Sequence, residues 1–253
     1  MSAADALPQE ATAFLILFAR IGAVLMLLPV FSEDAVPGRI RLMIAFGMTA
    51  ALWGLLSPYV LPVAQVGGDA LAGTILFELL IGLALGMLVK LVFLAVSTAG
   101  SIVSLQIGLT SAVISDPSSG GVATALSKLL SVAAAVVCMA LLVHHSWIAA
   151  IVRSYAVLPV GAVPPAADFA QAAVETAGRS LTIAVGLAAP MLVYGIVFNV
   201  ALGFAARLAP AMQVFFVAQP LNLTLGLALF ATLAGSMLLA FAQTFAGWMA
   251  TWG

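Results

Sequence analysis

Six long apolar runs divide this chain, at about 11–31, 40–57, 70–104, 122–152, 172–206 and 214–251. A run of about 20 such residues crosses a bilayer as a helix. Inside hydrocarbon a backbone has no water to bond, so such runs span either as helices or as a closed barrel. No run alternates with period two over a long stretch, which argues against the barrel. The expected class is all-α: an integral membrane or membrane-associated protein of helical hairpins with long kinked helices. The breaks SEDAVPGRIR (32–41), SPYVLPVAQVGGD (57–69), DPSSGG (116–121), LPVGAVPPAAD (158–168) and RLAPAMQ (207–213) are rich in Pro and Gly. Such short, punctuated connections make neighbouring runs antiparallel.

Charge excludes a soluble domain. Only 7% of the residues are charged, eight Lys or Arg and nine Asp or Glu, against 64% hydrophobic. A soluble domain carries about 25% charge. The net charge of −1 leaves no basic surface for nucleic acid. Cys138 is the single cysteine, so no internal disulfide forms. The opening MSAADALPQEA has Asp5 and Glu10 but no Lys or Arg, so no cleavable signal is expected there. With Arg39 and Arg41 in the first loop and no Lys or Arg in the N-terminal tail, the positive-inside rule would put the loop in the cytoplasm and the N-terminus outside, and the later loops add too little charge to support this.

Runs 70–104 and 172–206 are overlong. As continuous helices each would reach about 50 Å, beyond a hydrocarbon core of about 30 Å. Each is expected to be a tilted or kinked helix, a helix projecting past the lipid, or a broken hairpin, with Pro190 kinking the second. Five charges fall inside runs: Arg20, Glu78, Lys90, Lys128 and Arg179. Only Arg179 has a partner at helical spacing, Glu175. The others must pair across helices, pair with another subunit, or lie outside hydrocarbon. Small residues recur every four positions at Gly82 and Gly86, and along Gly178, Thr182, Gly186 and Pro190. Gly195, Asn199, Gly203 and Arg207 form a third, more polar stripe. Such stripes allow close helix contact.

The stretch 97–121, STAGSIVSLQIGLTSAVISDPSSGG, is rich in Ser, Thr and Gly, with one Gln and one charge. Weakly polar residues at membrane depth face protein or a water-filled path. Two readings stay open: a segment lining or plugging a passage, and a tight helix seam. Catalysis has no carrier. His144 and His145 are adjacent, about 100° apart on a helix, and cannot share one metal. No Walker A, H-E-x-x-H or G-x-S-x-G motif is present. Neither an enzyme nor a cofactor is expected. A stand-alone secondary transporter with a midplane site in broken helices remains the alternative to a passage built with other subunits.

Several pieces match one family in order and spacing: LPVFSEDAVPGRIRL (28–42), ELLIGLALG (78–86), AGSIVSLQIGL (99–109), Asp116-Pro117, LPVG (158–161) and FNVALGFAARLAPAMQVFFVAQPL (198–221). In these the chain resembles the R-type subunits of type III export gates, the FliR/SctT/SpaR family, over nearly its whole length. The resemblance implies a non-enzymatic subunit that joins P-type and Q-type (FliP-type and FliQ-type) subunits in an entry portal for unfolded export substrates. FlhB-type and FlhA-type export proteins would be further partners. The setting would be the bacterial inner membrane and the flagellar basal body, with an injectisome gate as the alternative. It also implies a P-like part, 1–165, followed by a Q-like part, 170–253. The channel plug maps onto 106–121, with Gln106, Gly108, Leu109, Thr110, Ser111, Val113, Ile114, Asp116 and Pro117 as gating residues. Arg20, Arg39, Glu78, Asn199, Gly203, Arg207, Pro210 and Pro220 would lie at subunit interfaces. Two departures stand out: a plug short of aromatics, and Gln219 before Pro220.

Overall fold

The computed structural model describes residues 3–29, 36–64, 68–109, 122–210 and 213–251. They form α1 (Ala3–Leu27), α2 (Gly38–Val60), α3 (Gly68–Ile107), α4 (Val122–Ala140), α5 (His144–Val157), α6 (Ala166–Leu208) and α7 (Val214–Ala250). No strand occurs among the described residues. Five helices, α1, α2, α3, α6 and α7, are long and apolar enough to cross a membrane, and a sixth span results if α4 and α5 count as one. The all-α membrane class is what the apolar runs imply.

The overlong runs are single helices. α3 has 40 residues and α6 has 43, and α6 continues through Pro190. At 1.5 Å per residue these are about 60 and 65 Å long. The fourth apolar run, 122–152, holds two helices, parted at 141–143. No Pro or Gly marks this break. Leu142 makes it by adopting φ 59°, the left-handed conformation that L side chains rarely enter.

The chain forms two compact units. One comprises Met1–Val92, Leu142–Ala177 and Gly247–Gly253, the other Phe93–Leu141 and Gly178–Ala246. In the first, α1 buries Ile16, Leu17, Ile21 and Leu25, while Leu56 and Ile81 are equally enclosed. Glycines bring α3 against α1. A Cβ at Gly82 would lie 2.5 Å from the Arg20 carbonyl oxygen, and one at Gly86 2.9 Å from Leu27 Cβ. In the second unit Phe93 sets its edge against Phe241 and Phe245, with centroids 5.1 Å away in each case. Gly100 lets α3 approach α4, where a Cβ would meet Ser127 Cα at 2.7 Å. The Ser101 and Ser127 hydroxyls share a hydrogen bond of 2.9 Å at that contact.

Candidate functional site

The C-terminal end of α3 holds the described part of the expected plug, residues 106–109. A helix ends with four carbonyls that lack intrahelical donors. Here all four are satisfied. Gly108 has φ +85° and ends the helix. Its N–H bonds the Leu105 carbonyl at 3.2 Å, and the Leu109 N–H bonds the Ser104 carbonyl at 3.0 Å. These two bonds make a Schellman ending, which favours glycine in this position. The carbonyls of Gln106 and Ile107 are left over. Asn222 of α7 takes both, donating from Nδ2 at 3.1 and 3.0 Å.

Asn222 is itself held. The Tyr194 hydroxyl of α6 reaches its Oδ1 at 2.9 Å and its backbone carbonyl at 3.1 Å. Asn222 is buried. Two glycines admit the α3 end. A Cβ at Gly195 would overlap the Gln106 side-chain amide, and one at Gly226 would lie 2.8 Å from Ile107 Cγ1. Gln219 is close by, its Nε2 being 3.0 Å from a Cβ built on Gly108. Of the expected gating residues, Gln106, Gly108 and Leu109 are therefore at this junction. Thr110, Ser111, Val113, Ile114, Asp116 and Pro117 lie outside the described residues.

Arg20 and Glu78 form a second polar centre. Arg20 Nε donates to Glu78 Oε2 at 2.6 Å and Nη2 to Oε1 at 2.9 Å. Nη1 donates to the Ser154 carbonyl and hydroxyl at 3.1 and 3.3 Å, and Nη2 to the Leu158 carbonyl at 2.9 Å. The Gly161 N–H donates to Glu78 Oε1 at 3.2 Å. The guanidinium lies 4.1 Å from the Tyr155 ring centroid. Both charged side chains are 0% exposed. Of the three outcomes open to charges without a partner at helical spacing, these two take the first: they pair with each other across helices. Both sit inside the chain, not on its surface as interface residues would.

The remaining interface candidates are exposed. Arg39 lies in the first turn of α2 and Arg207 in the last turn of α6. A helix C-terminus favours a cation. From Ser180 to Gly253, Arg207 is the only Asp, Glu, Lys or Arg. Gly203 has nothing within 4 Å of a built Cβ. Asn199 donates to the Gly195 carbonyl of its own helix at 2.7 Å. Around this stripe Ile196, Val200, Phe204, Leu208, Phe215 and Phe216 are all exposed. Pro210 is exposed in the α6–α7 connection, and Pro220 lies within α7, its carbonyl accepting from Thr224 Oγ1 at 3.1 Å.

Residue-level reading missed Asn222, Tyr194, Ser154 and Tyr155. One signal was available: a Gly after a long apolar run, as at Gly108, is a helix stop whose carbonyls need donors. The rest of the described structure has little chemistry. A cleft of about 400 Å³ carries Asp168 and Glu175 among apolar side chains. No group of three His, Cys, Asp or Glu able to hold a metal occurs among the described residues.

Comparison with known proteins places these contacts. Residues 11–248 match the family described as bacterial export proteins, family 1. The flagellar biosynthetic protein FliR of Caulobacter vibrioides is 41% identical over 216 residues, covering 85% of this chain and 86% of that protein. Its Escherichia coli K12 counterpart is 31% identical, covering 85% and 81%. That of Bacillus subtilis is 27% identical, covering 83% and 82%. The Arg20–Glu78 centre, the α3 ending and the exposed α6 stripe all fall within the matched residues, and this chain belongs to the bacterial export proteins of family 1, the family of the flagellar biosynthetic proteins.

Proposed function

We propose that this chain is a non-enzymatic core subunit of the flagellar type III export gate, forming the entry portal for unfolded export substrates with P-type and Q-type subunits. One observation carries the reading. The exposed apolar side chains of α6 run from Val174 (74% exposed) to Leu208 (86% exposed). That is about 50 Å along the helix. A bilayer core of about 30 Å crossed at a steep tilt of 40° covers only about 39 Å. The surplus apolar surface needs protein to cover it, which a lone transporter in lipid lacks.

In this reading 1–165 is the P-like part and 170–253 the Q-like part. Arg39 and the stretch from Asn199 through Gly203, Arg207 and Pro210 to Pro220 contact neighbouring subunits. Residues 106–121 form the plug that closes the empty channel. FlhB-type and FlhA-type proteins adjoin the portal in the inner membrane at the basal body. Co-expression with P-type and Q-type partners, purification through a tag on this chain, and mass measurement in mild detergent test it. A hetero-oligomer is expected. A monomer or homodimer with the partners present would overturn the reading in favour of a stand-alone transporter.

A further inference from the structure

We propose that Tyr194 and Asn222 are positioning residues that clamp the end of α3 and so fix the point from which the plug departs. The inference rests on the reading of 106–121 as a plug and adds a mechanism for its root.

The argument starts from the unfilled carbonyls. The Schellman ending at Gly108 uses Ser104 and Leu105 and leaves Gln106 and Ile107 without backbone donors. Two other fates are open to such a pair. They can fray into water, or the helix can continue, so that the N–H groups of Thr110 and Ser111 take them. Neither is seen: one amide nitrogen of Asn222 donates to both oxygens at 3.1 and 3.0 Å, and Gly108 at φ +85° turns the chain out of the helix. Tyr194 then fixes which way the amide faces. Its hydroxyl hydrogen bonds Oδ1 at 2.9 Å, which leaves the nitrogen pointing at α3. The glycines at 195 and 226 bring both neighbouring helices up to the last turn of α3. Gly108, at φ +85°, is the first position beyond the clamp where the chain changes direction.

The test uses the complex assembled with its P-type and Q-type partners. Asn222→Asp keeps the oxygen that meets Tyr194 but sets a second oxygen against two carbonyls. Tyr194→Phe leaves Asn222 in place and removes only its orienting contact. Removal of residues 109–114 serves as the comparator. Two quantities are measured: amide hydrogen exchange over 104–109 in the purified complex, and membrane permeability to a small solute at matched complex levels. With Asn222→Asp, exchange at Gly108 and Leu109 should rise about tenfold or more, as loss of two hydrogen bonds implies. Permeability should rise as it does in the deletion, with Tyr194→Phe intermediate in both. Unchanged exchange in both substitutions, with the complex intact, would overturn the clamp. Faster exchange without leakage, while the deletion leaks, would overturn its role in rooting the plug. A deletion that does not leak would refute the plug reading alone, and the exchange result would still decide the clamp.

Discussion

Arg20 and Glu78 lie 58 positions apart in sequence and meet in a bidentate pair that neither side chain shares with solvent. Arginine has five N–H donors. Here they are directed at two carboxylate oxygens, two backbone carbonyls and a serine hydroxyl. The pair also binds both ends of the LPVG turn, through the Leu158 carbonyl and the Gly161 N–H. The turn needs Gly161, whose φ is +77°.

Removing one partner should therefore be severe. Arg20→Ala or Glu78→Ala leaves a buried charge uncompensated, a cost of about 3–5 kcal/mol. Glu78→Gln should cost less, because it keeps an acceptor for Gly161. Replacing both ions by apolar residues should recover only part of the loss, since Leu158 and Gly161 stay unsatisfied. Thermal unfolding of the detergent-purified chain ranks the variants. A single-alanine variant within about 1 kcal/mol of the parent would show that the pair holds nothing together.

Gly82 and Gly47 offer a paired comparison. Gly82 touches α1 backbone, so its Cβ would sit 2.5 Å from an oxygen, while a Cβ at Gly47 meets nothing within 4 Å. Gly82→Ala should push α1 and α3 apart and cost about 1–3 kcal/mol. Gly47→Ala should stabilise the isolated chain by about 0.5–1 kcal/mol, through the helix preference of alanine over glycine. Equal midpoints in thermal unfolding would contradict the close α1–α3 contact.

The same helix ending explains what sequence could and could not disclose. Gly108 and Leu142 both follow a helix and both have positive φ, +85° and 59°. At Gly108 the residue type announces the stop. At Leu142 it does not, because leucine rarely enters that conformation and nothing in its type signals a stop, so 122–152 reads as one run. Apolar length together with the lack of period-two alternation made the helices legible, since only helices and closed barrels span lipid. The Arg20–Glu78 pair was not legible, because its spacing reflects how helices fold together and not a helical repeat. Asn222 was hidden for the same reason: its partners are backbone carbonyls far away in sequence. Most of the expected plug falls outside the described residues, so its gating role stands on resemblance.

Leu142 itself is a test of that account. It is 58% exposed, so its side chain contributes little burial. A left-handed residue with a Cβ is strained by about 1–2 kcal/mol. Leu142→Gly should relieve the strain and Leu142→Asn part of it, with net gains limited to about 1 kcal/mol by the added freedom of glycine when unfolded. A lower unfolding midpoint for both variants would mean that the leucine packs against something that offsets its strain.

Arg207 separates a residue needed for folding from one needed for assembly. It is the only Asp, Glu, Lys or Arg from Ser180 to Gly253 and is exposed on the last turn of α6 among apolar side chains. Inside this chain its main benefit is the helix dipole, about 0.3–1 kcal/mol. If it meets a neighbouring subunit, its removal leaves that partner's group without a counter-charge, which costs several-fold more. Arg207→Ala should therefore leave the unfolding of the isolated chain within about 1 kcal/mol of the parent. The same change should sharply reduce recovery of the complex with P-type and Q-type partners. Gly203→Ala, one helical turn away with open space around it, should behave alike by standing a methyl group off the neighbour. Arg207→Lys should retain part of the recovery, because the charge survives while the planar fork does not. Full recovery of the complex with Arg207→Ala would remove this stripe from the subunit interface.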